Sequence, residues 1–225
     1  MTEQVTFQAK SGAQANGALA LPQGGGKAPA VVLVQEWWGL NDHVKDLAAR
    51  LAAAGFVVLA PDLYHGKTTK DPNEAGKLMT ELDGTRALDE IAGAAQYLAK
   101  HARGSGKVGI IGFCMGGAYA FAAAGHVPEL GAAVSFYGVP PEQNANWPGV
   151  KAPIQAHVAT HDEWVTVDKV KAIQKELEKH GKSLEIHVYD AHHAFVNDTR
   201  PEVYAPEAAQ LAWQRAVDFL HQHLG

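Results

Sequence analysis

The sequence predicts an α/β protein in which a mostly parallel central sheet carries helices on both of its faces. Short, entirely apolar segments such as residues 30–34 and 56–60 are typical of strands that are buried on both sides. Segments with apolar residues at helical spacing alternate with such strands along the chain. Since no linker or internal repeat interrupts this alternation, we expect one α/β domain over residues 1–225.

The individual elements follow from local signals. The chain begins with two alternating stretches that predict an antiparallel pair of strands at a sheet edge. Asn41 or Asp42 can cap the first helix, and Gly55 ends it. Polar residues with glycine and proline predict an irregular connection over 64–77, of the kind that often covers a site. The predicted strands are residues 5–7, 17–21, 30–34, 56–60, 107–111, 131–138, 153–158 and 184–189, and the later helices are 85–102, 115–124, 167–180 and 206–223.

The composition excludes several classes of function. The formal net charge is −5, and no cluster of Lys and Arg forms the basic patch that nucleic-acid binding requires. The first residues lack the basic and apolar regions of a signal peptide, and no apolar stretch is long enough for a membrane span. The single cysteine, Cys114, allows neither an intrachain disulfide nor a C-x-x-C pair. We therefore expect a cytoplasmic protein that binds neither membranes nor nucleic acids.

The segment Gly112-Phe113-Cys114-Met115-Gly116 matches the pattern of a nucleophile elbow, with cysteine in the position of the usual serine. A nucleophile at the tip of a sharp strand-to-helix turn has a strained backbone, and the two glycines remove Cβ atoms that would clash there. The first N–H groups of the following helix favour a thiolate and can bind an oxyanion. A lone cysteine can also be a small buried core residue, so the motif needs support from the rest of the chain.

Other candidate residues follow the remaining predicted strands, and sites in parallel sheets form at the carboxyl ends of strands. Glu36 follows the third predicted strand, Asp162 follows the seventh and His193 follows the eighth. With Cys114 after the fifth strand, the order along the chain is nucleophile, acid, base. This is the order of the triad in α/β hydrolases, and it is much more specific than the elbow alone.

The chemistry of these side chains suggests a division of roles. A free thiol is mostly protonated at neutral pH, so Cys114 needs a base to become a nucleophile. His193 can take the thiol proton and later return it to the leaving group. Asp162 would fix the imidazole tautomer and stabilise the imidazolium. The backbone N–H groups of Met115 and Trp37 are the expected oxyanion donors.

The chain resembles the dienelactone hydrolase family over nearly its whole length. The resemblance is carried by Gln35-Glu36, Pro61-Asp62-Leu63-Tyr64, Gly112-Phe113-Cys114-Met115-Gly116-Gly117, Asp162 and His193-Ala194-Phe195. It implies an α/β-hydrolase fold, usually monomeric and without a cofactor, that hydrolyses a small-molecule ester or lactone through a thioester. It also implies that Cys114 is the nucleophile, His193 the base and Asp162 its orienting acid. Glu36 matches the glutamate that pairs with the resting cysteine and helps to activate it.

Two positions depart from the family pattern and bear on the substrate. Dienelactone hydrolase holds the carboxylate of its substrate with two arginines, one after the second buried strand and one four residues after the catalytic histidine. Here residues 67–77 contain no arginine, and the second position is Asn197. Lys67, Lys70 or Arg200 would replace such a bidentate clamp imperfectly. We therefore expect a different or broader substrate, such as an uncharged ester or lactone.

Several residues near the predicted site have competing interpretations. Trp37, Tyr64 and Phe195 are expected to form pocket walls, although aromatic residues at strand ends are more often core. His192 is a second candidate for the base, and Glu163 is a second candidate for the acid. The tryptophans that we expect to serve only in ordinary packing are Trp147, Trp164 and Trp213. The histidines lack the spacing of metal ligands, so no metal site is expected.

Alternative functions remain at this point. A thioesterase or a peptidase could use the same triad. A protein of a different class would be a non-catalytic α/β-hydrolase scaffold that binds a ligand or a protein partner. A redox-sensing thiol is a further alternative, although the chain offers no second cysteine to resolve an oxidised Cys114.

Overall fold

The secondary structure is taken from a computed structural model, which describes residues 2–225. The strands are β1 (Thr2–Gln8), β2 (Gln14–Ala20), β3 (Ala28–Val34), β4 (Val57–Pro61), β5 (Gly104–Phe113), β6 (Leu130–Phe136), β7 (Ile154–His161) and β8 (Leu184–His192). The α-helices are α1 (Asp42–Ala53), α2 (Pro72–Glu81), α3 (Gly84–Lys100), α4 (Met115–His126), α5 (Val167–Lys179) and α6 (Pro206–Leu224). Within residues 2–225, no helix is both long and apolar enough to cross a membrane.

All eight strands belong to one sheet, in the order β1-β2-β4-β3-β5-β6-β7-β8. The strand β2 pairs antiparallel with both β1 and β4, and every other pairing is parallel. The predicted fold class is therefore confirmed, including the antiparallel strands at one edge. The parallel part of the sheet contains every strand that precedes a candidate site residue.

Two apolar cores cover the two faces of the sheet. Along β3, Val32 and Val34 belong to the core that includes side chains of α3, α4 and α5. Val31 and Leu33, which alternate with them, belong to the core formed with α1 and α6. All four side chains are completely buried. Burial on both faces explains why this strand is a continuous apolar run.

The predicted irregular connection over 64–77 is wrong in its second half, because α2 begins at Pro72. Asp71 caps this helix by accepting a hydrogen bond from the backbone N–H of Asn73. Proline at the first helical position and an aspartate before it are signals of a helix start. Ala75 and Leu78 bury one face of the helix. The polar composition of the segment concealed these signals.

The register of the parallel strands aligns their carboxyl ends. Val34 is paired with Gly112, Phe113 with Phe136, and Phe136 with His157. The register of β7 and β8 shifts near their carboxyl ends. Ala159 pairs with Tyr189, but the next pair is His161 with His192, so β8 advances by three residues while β7 advances by two. This extra residue in β8 brings the residues after the two strands into line.

Close backbone contact at the strand-to-helix turn requires glycine. A Cβ atom on Gly116 would lie 2.2 Å from the carbonyl oxygen of Val34. We expect Gly116→Ala to lower the free energy of unfolding by about 2 kcal/mol or more, because backbone atoms must shift. Urea unfolding at neutral pH measures this change.

The matched control is Gly76→Ala in α2, where a Cβ would meet nothing within 4 Å. It should leave stability unchanged or raise it by up to about 1 kcal/mol, since alanine favours a helix. Equal stability of the two variants would contradict the proposed role of the close approach.

Candidate active site

Cys114 lies at the turn between β5 and α4 in a strained backbone conformation, with φ 55° and ψ −116°. Its N–H donates to the carbonyl oxygen of Phe136 at 3.0 Å, and its carbonyl accepts from the N–H of Ala118 at 3.2 Å. These bonds hold the turn in a conformation that a non-glycine residue rarely adopts. The side chain is partly exposed. The geometry is that of the predicted elbow.

Asp162 and His193 meet at the ends of β7 and β8. The Nδ1 atom of His193 lies 2.6 Å from Oδ2 of Asp162, whose side chain is completely buried. The other oxygen of Asp162 accepts the N–H groups of Trp164 and Val165, both at 2.9 Å. The carboxylate is therefore held from two sides. A hydrogen bond at Nδ1 leaves Nε2 of the imidazole for reaction.

The electrostatics of this pair favour an ionised state. Burial alone would lower the pKa of His193, but the hydrogen bonds to Asp162 and Cys114, together with their charges, outweigh it. The pKa of His193 is raised to about 10. Burial also opposes ionisation of Asp162, yet hydrogen bonds from His193 and the Val165 N–H hold its pKa below the usual range. The imidazole of His193 is therefore protonated at neutral pH.

Glu36 is a buried carboxyl, 2% exposed, at the end of β3. Asn197 donates to its Oε2 at 2.8 Å, and the hydroxyl of Tyr137 lies 3.5 Å from its Oε1. Burial raises the pKa of Glu36, and the nearby His43 and the Asn197 hydrogen bond only partly offset this. The expected pairing of Glu36 with Cys114 is not seen, since its hydrogen bonds run to Asn197 and Tyr137.

A groove of about 600 Å³ opens beside this part of the site, and Asn197 is one of its walls. Lys70 and Arg200 also line it. The guanidinium of Arg200 lies 5.6 Å from the ring centroid of Trp38, and its Nε donates to Glu202 at 2.8 Å. The Nε of this guanidinium is bonded to a carboxylate, so its two Nη groups are the donors that remain for a ligand in the groove.

The structure places the other predicted site residues as follows. Met115 is the first residue of α4, so its N–H has no acceptor within the helix. Trp37 is partly buried and packs edge-on against Trp38. The Tyr64 hydroxyl donates to Sδ of Met115 at 3.3 Å, which places this ring against the elbow. Phe195 has no exposed surface and packs in the core, so its expected pocket contact is absent.

The expectation that Trp164 serves only in packing is wrong. Its side chain is 67% exposed, and its ring meets the imidazole of His193 edge-on, with 5.0 Å between the centroids. The turn that binds Asp162 to the N–H of Trp164 carries the indole outward. The available signal was the place of Trp164 in the sequence, two residues after the candidate acid Asp162.

Tyr137 is a site residue that the sequence analysis did not identify. It follows β6 with φ 41°, it is completely buried, and its ring centroid lies 5.1 Å from that of His193. Burial raises its pKa well above the usual value, and Glu36 adds to this effect. The available signal was its place at the end of the predicted strand 131–138, which is one of the strands of the parallel sheet.

The described residues, 2–225, contain no group of three or more His, Cys, Asp and Glu side chains that could hold a metal ion. The acids and histidines of the site are instead engaged with one another and with amide or hydroxyl groups.

The chain is similar in sequence and in structure to known proteins. The model of the dienelactone hydrolase family matches residues 15–224. A protein assigned as a carboxymethylenebutenolidase in Aquifex aeolicus is 39% identical over 233 residues, covering 100% of both chains. A Bradyrhizobium protein assigned as a 2-oxo-3-(5-oxofuran-2-ylidene)propanoate lactonase is 35% identical and covers 92% of this chain and 88% of its own. A crystal structure assigned as a dienelactone hydrolase from Klebsiella pneumoniae is 28% identical, with a TM-score of 0.86, and covers 98% of this chain and 99% of its own.

The effect of Cys114 on the pKa of His193 can be tested by titration. In Cys114→Ala, the pKa of His193 should fall from about 10, because the hydrogen bond and the charge of Cys114 are lost while Asp162 remains. NMR of the ring nitrogens over a pH series measures this value, with His193→Gln used to assign the signals. An unchanged pKa in the variant would mean that Cys114 does not contribute.

The burial of Glu36 predicts a dependence of stability on pH. A pKa raised above 4.5 means that the folded protein binds this proton more tightly than the unfolded chain. The contribution of Glu36 to the free energy of unfolding is therefore fully present below pH 4.5. It is lost as the pH rises towards the pKa of Glu36 in the folded protein. Relative to the wild type, Glu36→Gln should gain about 1 to 3 kcal/mol across that window. Urea unfolding at several pH values measures the difference.

Glu129→Gln is a suitable control, because Glu129 is exposed. It should follow the wild-type pH dependence. If Glu36→Gln also follows it, the carboxyl does not titrate as described.

Proposed function

This chain belongs to the dienelactone hydrolase family and hydrolyses carboxylic ester or lactone bonds, and we propose that it does so through a triad of Cys114, His193 and Asp162. The observation that carries this proposal is the hydrogen-bonded Asp162–His193 pair beside a cysteine on a strained turn. We further propose that it acts as a single-domain, monomeric, cytoplasmic enzyme without a cofactor.

The first half-reaction acylates the cysteine. The thiolate of Cys114 attacks the carbonyl carbon, a C–S bond forms, and the carbonyl electron pair moves to the oxygen. The N–H groups of Met115 and Trp37 bind this oxyanion. As the intermediate collapses, the bond to the leaving oxygen breaks and Nε2 of His193 gives its proton to that oxygen. The products are a thioester and an alcohol, or a ring-opened acyl chain in the case of a lactone.

The second half-reaction restores the enzyme. A water molecule donates a proton to Nε2 of His193 as its oxygen attacks the thioester carbon. Collapse of this intermediate breaks the C–S bond and releases the acid. The thiolate of Cys114 is regenerated beside the imidazolium, and Asp162 stabilises that charge throughout.

Glu36 has a different role in this proposal from the one that the family resemblance implies. Its raised pKa and its bonds to Asn197 and Tyr137 favour a neutral carboxyl that stays buried. The imidazolium of His193, rather than Glu36, then supplies the activation of the thiol. Glu36 positions Tyr137, whose ring packs near the imidazole.

The substrate that fits best is uncharged near the reacting carbonyl. The position of the family's second arginine holds Asn197, and this amide is committed to Glu36. Arg200 is engaged with Glu202 and Trp38. A carboxylate on the substrate would therefore meet at most one partly engaged arginine, where the family pattern supplies two. Small neutral esters and lactones avoid that cost.

The proposal predicts the outcome of a substrate panel. The wild type should hydrolyse p-nitrophenyl acetate and a neutral lactone with a higher kcat/KM than a dienelactone that carries a carboxylate. Cys114→Ala and His193→Ala should each lose at least about a hundredfold in kcat/KM, since nucleophile and proton transfer are removed. Steady-state kinetics at pH 7 measure these values.

His192→Ala is the matched control for the base, because its exposed ring lies against His161 and makes no contact with Asp162. It should retain activity close to the wild type. Full activity in Cys114→Ala would favour a different catalytic group, and no turnover of any ester by the wild type would favour a binding scaffold. Preference for the dienelactone would contradict the neutral-substrate proposal.

A further inference from the structure

Trp164 differs from the other tryptophans in its exposure. Its side chain is 67% exposed, whereas the remaining four are buried or partly buried. A single exposed apolar residue is common and by itself carries little information. The position of this one is informative, because its ring touches the imidazole that performs the proton transfer.

The backbone of Trp164 is held by hydrogen bonds on both of its polar groups. The N–H of Trp164 donates to Oδ1 of Asp162 at 2.9 Å, and its carbonyl accepts from Nζ of Lys169 at 2.7 Å. The next residue, Val165, donates to the same carboxylate oxygen at 2.9 Å. The acid that orients His193 therefore also orients the segment that carries Trp164. The backbone from which the indole projects is therefore fixed before substrate arrives.

The proton path determines which part of the substrate reaches this ring. Because Nδ1 of His193 is bonded to Asp162, only Nε2 can protonate the leaving oxygen. That oxygen must come within hydrogen-bonding distance of Nε2, so its substituent extends past the imidazole. Trp164 meets the imidazole edge-on, at an interplanar angle of 87°, and most of its own surface is exposed. The indole is therefore the exposed aromatic surface that adjoins the imidazole.

The opposite part of the substrate has other neighbours. Tyr64 contacts Met115 on the elbow, and Trp37 lies at the end of β3. Met115 and Trp37 carry the expected oxyanion donors, so we place the acyl part of the substrate beside these residues. An aromatic group on the acyl chain would therefore meet a different set of residues from one on the alcohol.

We infer that Trp164 binds the leaving-group portion of the substrate and selects esters whose alcohol carries an aromatic or other flat apolar group. This inference rests on the proposed function, because it requires His193 to protonate the leaving oxygen. Stacking or edge contact with the indole stabilises the transition state of acylation. Once the alcohol has left, the thioester no longer contacts Trp164, and hydrolysis of the acyl-enzyme does not depend on it.

The test moves one aromatic ring between the two sides of an ester. Benzyl acetate carries the ring on the alcohol, ethyl phenylacetate carries it on the acyl chain, and ethyl acetate carries none. The quantity measured is kcat/KM of Trp164→Ala relative to the wild type for each ester, so that the intrinsic reactivity of the esters cancels. Trp164→Phe tests whether a smaller aromatic ring restores the contact, and Trp213→Phe in α6 is the control for substitution of a tryptophan elsewhere.

The expected result is a loss of about tenfold for benzyl acetate in Trp164→Ala, with a change of less than about twofold for the other two esters. Trp164→Phe should recover most of the loss, and Trp213→Phe should match the wild type. An equal loss for all three esters would overturn the inference, since it would mean that Trp164 acts only by positioning His193. A loss specific to ethyl phenylacetate would overturn it as well.

Cys114→Ala, measured with the same esters, separates the two proposals. If that variant retains activity, the proposed triad is wrong. If it is inactive while Trp164→Ala shows no preference among the esters, the triad stands and only the leaving-group contact is refuted.

Discussion

The hydrogen bond between Asp162 and His193 is the interaction on which the rest of the site depends. It joins the ends of two neighbouring parallel strands, and it does so only because β8 contains one extra residue at its carboxyl end. The same carboxylate holds the turn that carries Trp164. One buried acid therefore sets the orientation of the base, supports its charge, and fixes the backbone of the aromatic residue whose ring meets the imidazole.

A second constraint comes from the carboxyl of Glu36, which folding removes from water. A buried carboxylate is costly unless it is paired with a positive charge, and here the direct partner is the neutral amide of Asn197. Burial therefore raises the pKa of Glu36 above its ordinary value. An arginine at position 197 would reverse this shift by pairing with the carboxylate. The residue that replaces the family's arginine thus bears on the ionisation of Glu36 and, in the function proposed above, on the charge of the substrate.

Much of the fold and of the candidate site could be predicted from the sequence. Apolar runs and helical spacing identified every strand and five of the six α-helices, and α2 was missed because its buried face is only two residues wide. Cys114, Asp162 and His193 were identified because each follows a strand of the parallel sheet, and the structure brings the three together. Tyr137 lies at the end of the predicted strand 131–138 and follows the observed β6, but the end of that strand was not considered.

The sequence by itself determined the class of the fold, the strained turn at Cys114, and the order in which nucleophile, acid and base occur. These features depend on local residue types and on spacing along the chain. Only the tertiary structure decided that Phe195 is buried, that Trp164 is exposed against the imidazole, and that Glu36 bonds to Asn197. The reason is physical: the direction of a side chain at a strand end is set by the register and turns of neighbouring strands, and residues far apart in the chain determine both.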